Sequence, residues 1–286
     1  MEWPVLVSSL SLALLFLVPL GIKWQIKTGY TLIGAIAIGS ATGIIFSWDL
    51  LRQDISIQML IPLEFVFILI LALATIVFFF YRDPERHSPQ EPGVIVSPAD
   101  GEVIYVKAVS KSEIPHSKKN GRKFVLNELI QTDLLSDENY LVGIGMNLLN
   151  VHVNRAPIQG RVELLKHIKG TFLSLKIKEA IVTNERFTTV ISNGKFKVGV
   201  VQIASRLVRK IVSYLAEDEL VQVGQRIGMI KFGSQVDLII PKFEGLTLKI
   251  KPGDQVMAGI SVIAEFEQAE ISEQVGKDDS LKYNSR

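Results

Sequence analysis

The chain has 286 residues, no cysteine and a net charge of +2. Charge so near balance argues against a nucleic-acid partner, and the lack of thiols excludes disulfides, zinc-thiolate sites and a cysteine nucleophile. The charge is also unevenly spread. Residues 1–81 carry seven of the 60 charged side chains (Glu2, Lys23, Lys27, Asp49, Arg52, Asp54 and Glu64), so an apolar part precedes a soluble part able to bury a core.

Three apolar stretches in the first part, 4–22, 30–48 and 59–81, are long enough to span a bilayer as helices. The first lacks the basic start and small-residue cleavage site of a signal peptide, so a retained anchor is expected. In the second, Ala35, Gly39 and Gly43 recur every four residues. That spacing lets helices approach closely, although glycine is common in membrane helices in any case. Lys23 and Lys27 follow the first stretch, and Arg82 and Arg86 follow the third. The intervening loop has only Arg52 beside Asp49 and Asp54. The positive-inside bias therefore puts residues 23–29 and everything after 81 on the cytoplasmic side of the cell (inner) membrane.

Beyond Tyr81, the prolines at 84, 89 and 92 stop helix continuation. Runs rich in Val and Ile, bounded by Gly, Pro, Asn or Asp, then predict strands at 101–109, 124–126, 141–146, 161–165, 188–192, 196–203, 237–240, 246–250 and 260–266. Only 204–215 has a helical rhythm. Residues 110–123 read as a solvated lysine-rich loop, and the polar stretch after 266 as a disordered tail. Segments 221–230 and 250–260 resemble each other as strand, glycine turn, strand, a pattern of biotinyl/lipoyl-type β-sandwiches. The expected architecture is mainly β: a membrane anchor over 1–86, a lipoyl/barrel-sandwich-like catalytic domain over 87–266, and a tail over 267–286.

Few residues offer chemistry. His87, His116 and His167 lie in polar surroundings and read as surface residues. His152 sits in a β-type run broken by polar groups (Asn150-Val151-His152-Val153-Asn154-Arg155); taken alone, it reads as a hydrogen-bonded structural histidine. Asp100, in Ser97-Pro98-Ala99-Asp100-Gly101, reads alone as a turn residue. Gly233-Ser234 interrupts an apolar run where a strand should continue, the mark of a bulge or close backbone approach.

Taken together, the pieces resemble the phosphatidylserine decarboxylases of the compact bacterial type. The resemblance covers about residues 80–266. It is carried in order by Tyr81-Arg82-Asp83-Pro84-Glu85-Arg86, Ser97-Pro98-Ala99-Asp100-Gly101, Met146 followed by Val151-His152-Val153-Asn154-Arg155, Asn184-Glu185-Arg186, and Phe232-Gly233-Ser234. It implies a zymogen that makes its own cofactor. Ser234 attacks the Gly233 carbonyl, the chain splits between them, and the serine remnant becomes a covalent pyruvoyl group that forms a Schiff base with the substrate amine. By the same resemblance His152 is the base, Asp100 orients it, and the two cleaved chains stay associated. Chemistry agrees that a serine hydroxyl needs an adjacent base and the base a partner, and glycine removes bulk beside the attacked carbonyl.

Two positions depart from the family pattern. Gln235 stands where Thr or another small residue is common, and Leu149 stands where some members have a second histidine. The implied product is phosphatidylethanolamine, made from phosphatidylserine in the membrane without a metal. An ether-linked archaeal analogue of the substrate, a lipoyl-like membrane-tethered adaptor and a zinc peptidase are the alternatives; the last would need clustered histidines, and His-x-His does not occur. Arg82, Arg86 and Arg155 are candidates for the lipid phosphate, with an ordinary surface arginine the plainer reading of each. A homo-oligomer is left open.

Overall fold

The computed structural model describes residues 3–24, 26–48, 56–110, 136, 138–174, 180–205, 210–231 and 234–267. His116, the expected strand at 124–126, the loop at 111–123, Gly233 and the tail from 268 lie outside the described residues. The chain divides into two compact units, one of residues 1–82 with 147–149 and the other of the remainder.

The first unit contains α1 (Trp3–Lys23), α2 (Thr28–Phe46) and α3 (Ile57–Tyr81), each long and apolar enough to cross a membrane. The small residues of α2 are a packing surface. A Cβ on Gly39 would fall 2.9 Å from both the Ala13 Cβ and the Leu10 Cα, and one on Gly43 would fall 2.9 Å from the Leu6 Cα. Close approach of α1 and α2 is therefore the reading realised. The buried Glu64 carboxylate of α3 accepts a 2.8 Å hydrogen bond from the Ser8 hydroxyl of α1.

The second unit is mainly β. Its strands are β1 (Val94–Val96), β2 (Gly101–Ser110), β3 (Glu138–Met146), β4 (Val153–Arg155), β5 (Gly160–Ile168), β6 (Arg186–Ser192) and β7 (Lys197–Ala204), followed by β8 (Ile211–Ser213), β9 (Leu220–Val221), β10 (Arg226–Ile230), β11 (Ser234–Pro241), β12 (Thr247–Leu248), β13 (Gln255–Val256) and β14 (Val262–Glu265). One short helix, α4 (Ala180–Thr183), precedes β6. An eight-stranded sheet runs β13-β2-β3-β11-β7-β6-β5-β9, and two three-stranded sheets run β1-β14-β12 and β4-β10-β8. The named strands pair antiparallel throughout.

β11 lies in the middle of the large sheet, between β3 and β7. Its Val236, Leu238 and Ile240 join Val142, Ile144, Val198 and Val200 in the core. Each such side chain contributes about 1.5–3 kcal/mol by leaving water, and β-branched residues suit the pleat. That is why β11 is a fixed reference for whatever happens at its first residue.

Among the described residues of 204–215 the expected helix does not appear: Ala204 ends β7, and Ile211, Val212 and Ser213 form β8 against β10. A partner strand 15 residues away in sequence outweighs local periodicity. The two resembling segments do share turn chemistry. Gln225 N–H donates to Gln222 O at 3.1 Å and Asp254 N–H to Lys251 O at 3.2 Å. Gly224 and Gly253 occupy the third turn position at φ +75° and +95°, the conformation that only glycine adopts cheaply.

Candidate active site

The sheets bring three of the separated sequence motifs together at the start of β11. The backbone of Ser234 pairs with Met146 at the end of β3 and with Ala204 at the end of β7. Ala204 is itself held by the Asn184-Glu185-Arg186 motif: its N–H donates to Glu185 O, and its carbonyl accepts from Asn184 Nδ2, both at 2.9 Å. On the preceding strand, Ile230 N–H donates to His152 O at 3.2 Å. His152 thus sits beside the chain four residues ahead of Ser234. The side chain of Ser234 and all of Gly233 lie outside the described residues.

His152 is fully buried, immediately before β4. Its Nδ1 is 2.8 Å from the Asn150 carbonyl oxygen. A carbonyl can only accept, so Nδ1 carries the proton and Nε2 the lone pair. Burial pulls the imidazole down to about 4, against the raising effects of the Asn150 carbonyl and the Asp100 charge. At neutral pH the ring is an uncharged base of fixed tautomer.

Asp100 lies in the bend before β2, and its carboxylate is fully occupied. Arg86 donates through Nη1 to Oδ1 at 2.6 Å and through Nη2 to Oδ2 at 2.9 Å. The backbone N–H groups of Ala258 and Val151 add bonds of 2.8 and 3.3 Å. Asp100 therefore acts on His152 through its charge and by holding the amide of the adjacent residue.

Neither Arg86 nor Arg155 is the surface arginine expected from sequence. Arg155 is buried and donates to Gly224 O, Asp83 Oδ1 and Pro84 O, each at 3.0 Å. The carboxylates of Asp100 and Asp83 supply the charge compensation that burial of a guanidinium demands. Arg82 donates to Leu149 O at 2.9 Å. His87 is exposed, and His167, also exposed, meets Glu185 at 3.0 Å.

Sequence reading missed a second buried cluster. Gln235 Nε2 donates to the Tyr105 hydroxyl and to Asp237 Oδ1, both at 2.6 Å, and the Tyr105 hydroxyl reaches both Asp237 oxygens at 2.8 Å. Burial pushes the Asp237 carboxyl up to about 6, against the hydrogen bonds from Gln235 and Tyr105. Gly143 opposes Asp237 in register, and a Cβ there would fall 2.3 Å from the Tyr105 ring. The signal was a glycine facing a polar residue in an otherwise apolar strand pair. Gln235, read as a departure from the family pattern, joins Asp237 in tying β11 to Tyr105 of β2. A further buried bond links Gln202 Nε2 to Asn154 Oδ1 at 2.8 Å.

Among the described residues, no group of three or more His, Asp or Glu side chains is placed to hold a metal ion. The model for the family described as phosphatidylserine decarboxylase matches residues 73–264. A Methanocaldococcus jannaschii protein, provisionally named an archaetidylserine decarboxylase proenzyme, is 41% identical over 201 residues, covering 70% of this chain and 95% of the relative. A phosphatidylserine decarboxylase proenzyme of Desulfotalea psychrophila is 35% identical over 205 residues, covering 71% and 84%. The chain belongs to the phosphatidylserine decarboxylase family.

Proposed function

We propose that this protein is a membrane-anchored decarboxylase that converts phosphatidylserine to phosphatidylethanolamine and carbon dioxide, after cutting its own chain between Gly233 and Ser234. The observation that carries the reading is His152, a buried neutral imidazole with its lone pair on Nε2, beside the strand that leads into Ser234. As base, it takes the Ser234 hydroxyl proton while the oxygen attacks the Gly233 carbonyl. The peptide bond becomes an ester. Loss of the Gly233 carboxylate by elimination leaves a dehydroalanine at 234, and water replaces its nitrogen, released as ammonia, to give the pyruvoyl group.

The start of β11 suits such a group. Backbone pairing on both sides, to Met146 and Ala204, and the Gln235 bonds to Tyr105 and Asp237 support a chain end there once the link to residue 233 is gone. The pyruvoyl ketone would supply an electrophile for the substrate amine and a sink for the electrons left by departing carbon dioxide. His152 remains within the same region to deliver the proton that replaces it. The paired glycine turns favour a lipoyl-like arrangement of the β unit.

The test is carbon dioxide release from vesicles of phosphatidylserine, run in parallel with an ether-linked analogue because one relative carries the archaetidylserine name. Hydroxylamine alone should abolish activity, cyanoborohydride with substrate should add lipid mass to the 234–286 chain, and chelators should do nothing. Lipid mass on a lysine, or dependence on added pyridoxal phosphate, would refute the assignment. Faster turnover of the ether lipid would move the substrate to the archaeal class.

The three apolar helices support anchoring in the cell (inner) membrane, and the basic residues Lys23, Lys27, Arg82 and Arg86 favour the β unit on the cytoplasmic side. The chain has no cysteine, so single cysteines report sidedness directly. Lys27→Cys and Lys195→Cys, both at exposed positions, should resist impermeant thiol reagents in intact cells and react after permeabilisation. Labelling of Lys195→Cys in intact cells would reverse the orientation.

A further inference from the structure

The segment that leaves α3 is built into the site. Residues 83–92 belong to the β unit, and Arg86 reaches inward until only 6% of its side chain, and 8% of that of Asp100, is exposed. Both Nη atoms engage the two carboxylate oxygens, and Nη1 also donates to Ala258 O at 2.7 Å. A forked guanidinium fixes the plane of a carboxylate as well as its charge, which a lysine cannot do. With that plane fixed, Asp100 Oδ1 accepts from Ala258 N–H and Oδ2 from Val151 N–H. Val151 is bracketed by Asn150, whose carbonyl sets the His152 tautomer, and by His152 itself.

We propose that Arg86 is a positioning residue for self-cleavage: through Asp100 it holds the 150–152 segment so that the His152 lone pair is presented to Ser234. The segment after the last apolar helix is then part of the machinery rather than a spacer. The inference rests on the self-cleavage reading above. The same segment has a separate tie, from Arg226 to Asp83 and to Glu85, the latter at 2.7 Å, which does not touch Asp100.

The test measures the splitting rate of freshly synthesised full-length chain in membranes. Arg86→Ala should slow it by about tenfold or more, and Arg86→Lys, which keeps charge but loses the fork, should fall between. Guanidinium added to Arg86→Ala should restore the rate, whereas methylammonium should restore less. Arg86→Ala combined with Asp100→Ala should be no slower than Asp100→Ala alone, since the arginine acts through that carboxylate. Arg226→Ala should split at close to the wild-type rate.

Splitting of Arg86→Ala at the wild-type rate overturns the proposal. So does a fully additive double variant, or an Arg226→Ala defect equal to that of Arg86→Ala, which would reduce Arg86 to a tether. If Arg86→Ala fails to fold, Arg86→Lys and the double variant decide the matter on the same terms. Wild-type chain that never splits removes both this inference and the reading beneath it; wild type that splits beside an unaffected Arg86→Ala removes this inference alone.

Discussion

Ser234→Ala is expected to leave the protein as one uncut chain with no decarboxylase activity, while the wild type purifies as residues 1–233 and 234–286. The substitution removes the only atom able to attack the Gly233 carbonyl from within the pair, and no cysteine elsewhere offers a replacement. It should not disturb the fold. Residue 234 enters the sheet through backbone pairing with Met146 and Ala204, which alanine preserves. Denaturing mass spectrometry reads the result, and the wild-type fragment beginning at 234 should resist Edman sequencing because its first residue lacks an amine. Wild type that is full length and nevertheless active would exclude the pyruvoyl mechanism.

Much of this was legible in the sequence because the signals were local. Apolar length marked the three helices, and Val-rich runs bounded by turn residues marked β2, β3, β5, β6, β7, β11 and β14. Helical rhythm over 204–215 misled because β8 exists only by pairing with β10, and a short strand has no periodicity of its own. Motif order drew attention to Asp100 and His152, but their surroundings are set across the chain. Arg86 reads as a solvated charge at a membrane exit until Asp100 and the Ala258 carbonyl, 172 residues away, are placed around it. Asp237 was hidden for the opposite reason. It alternates with apolar residues as an exposed strand position would, and only the register with Gly143 reveals the space that Tyr105 fills.

His152 is expected to make self-cleavage nearly independent of pH where an ordinary histidine would fail. An exposed imidazole loses its lone pair as pH falls through about 6.5, but burial holds that of His152 down to about 4. The splitting rate should therefore be flat from neutrality to well below pH 6 and decline only toward pH 4. The stability sign follows separately. Between its ordinary value and about 4 the unfolded chain binds the proton first, so His152 costs stability as the medium is acidified. Asp237, pushed up to about 6, runs the other way: the folded protein binds its proton first, so stability from this group falls as pH rises toward 6. A flat splitting rate over that interval thus separates the base from the stability of the fold. Removing the base should slow splitting by about 100-fold or more in His152→Ala. His87→Ala and His167→Ala, at exposed positions, should split normally. A wild-type rate that halves near pH 6.5, or His152→Ala chain that splits as fast as the wild type, would show that another group takes the Ser234 proton.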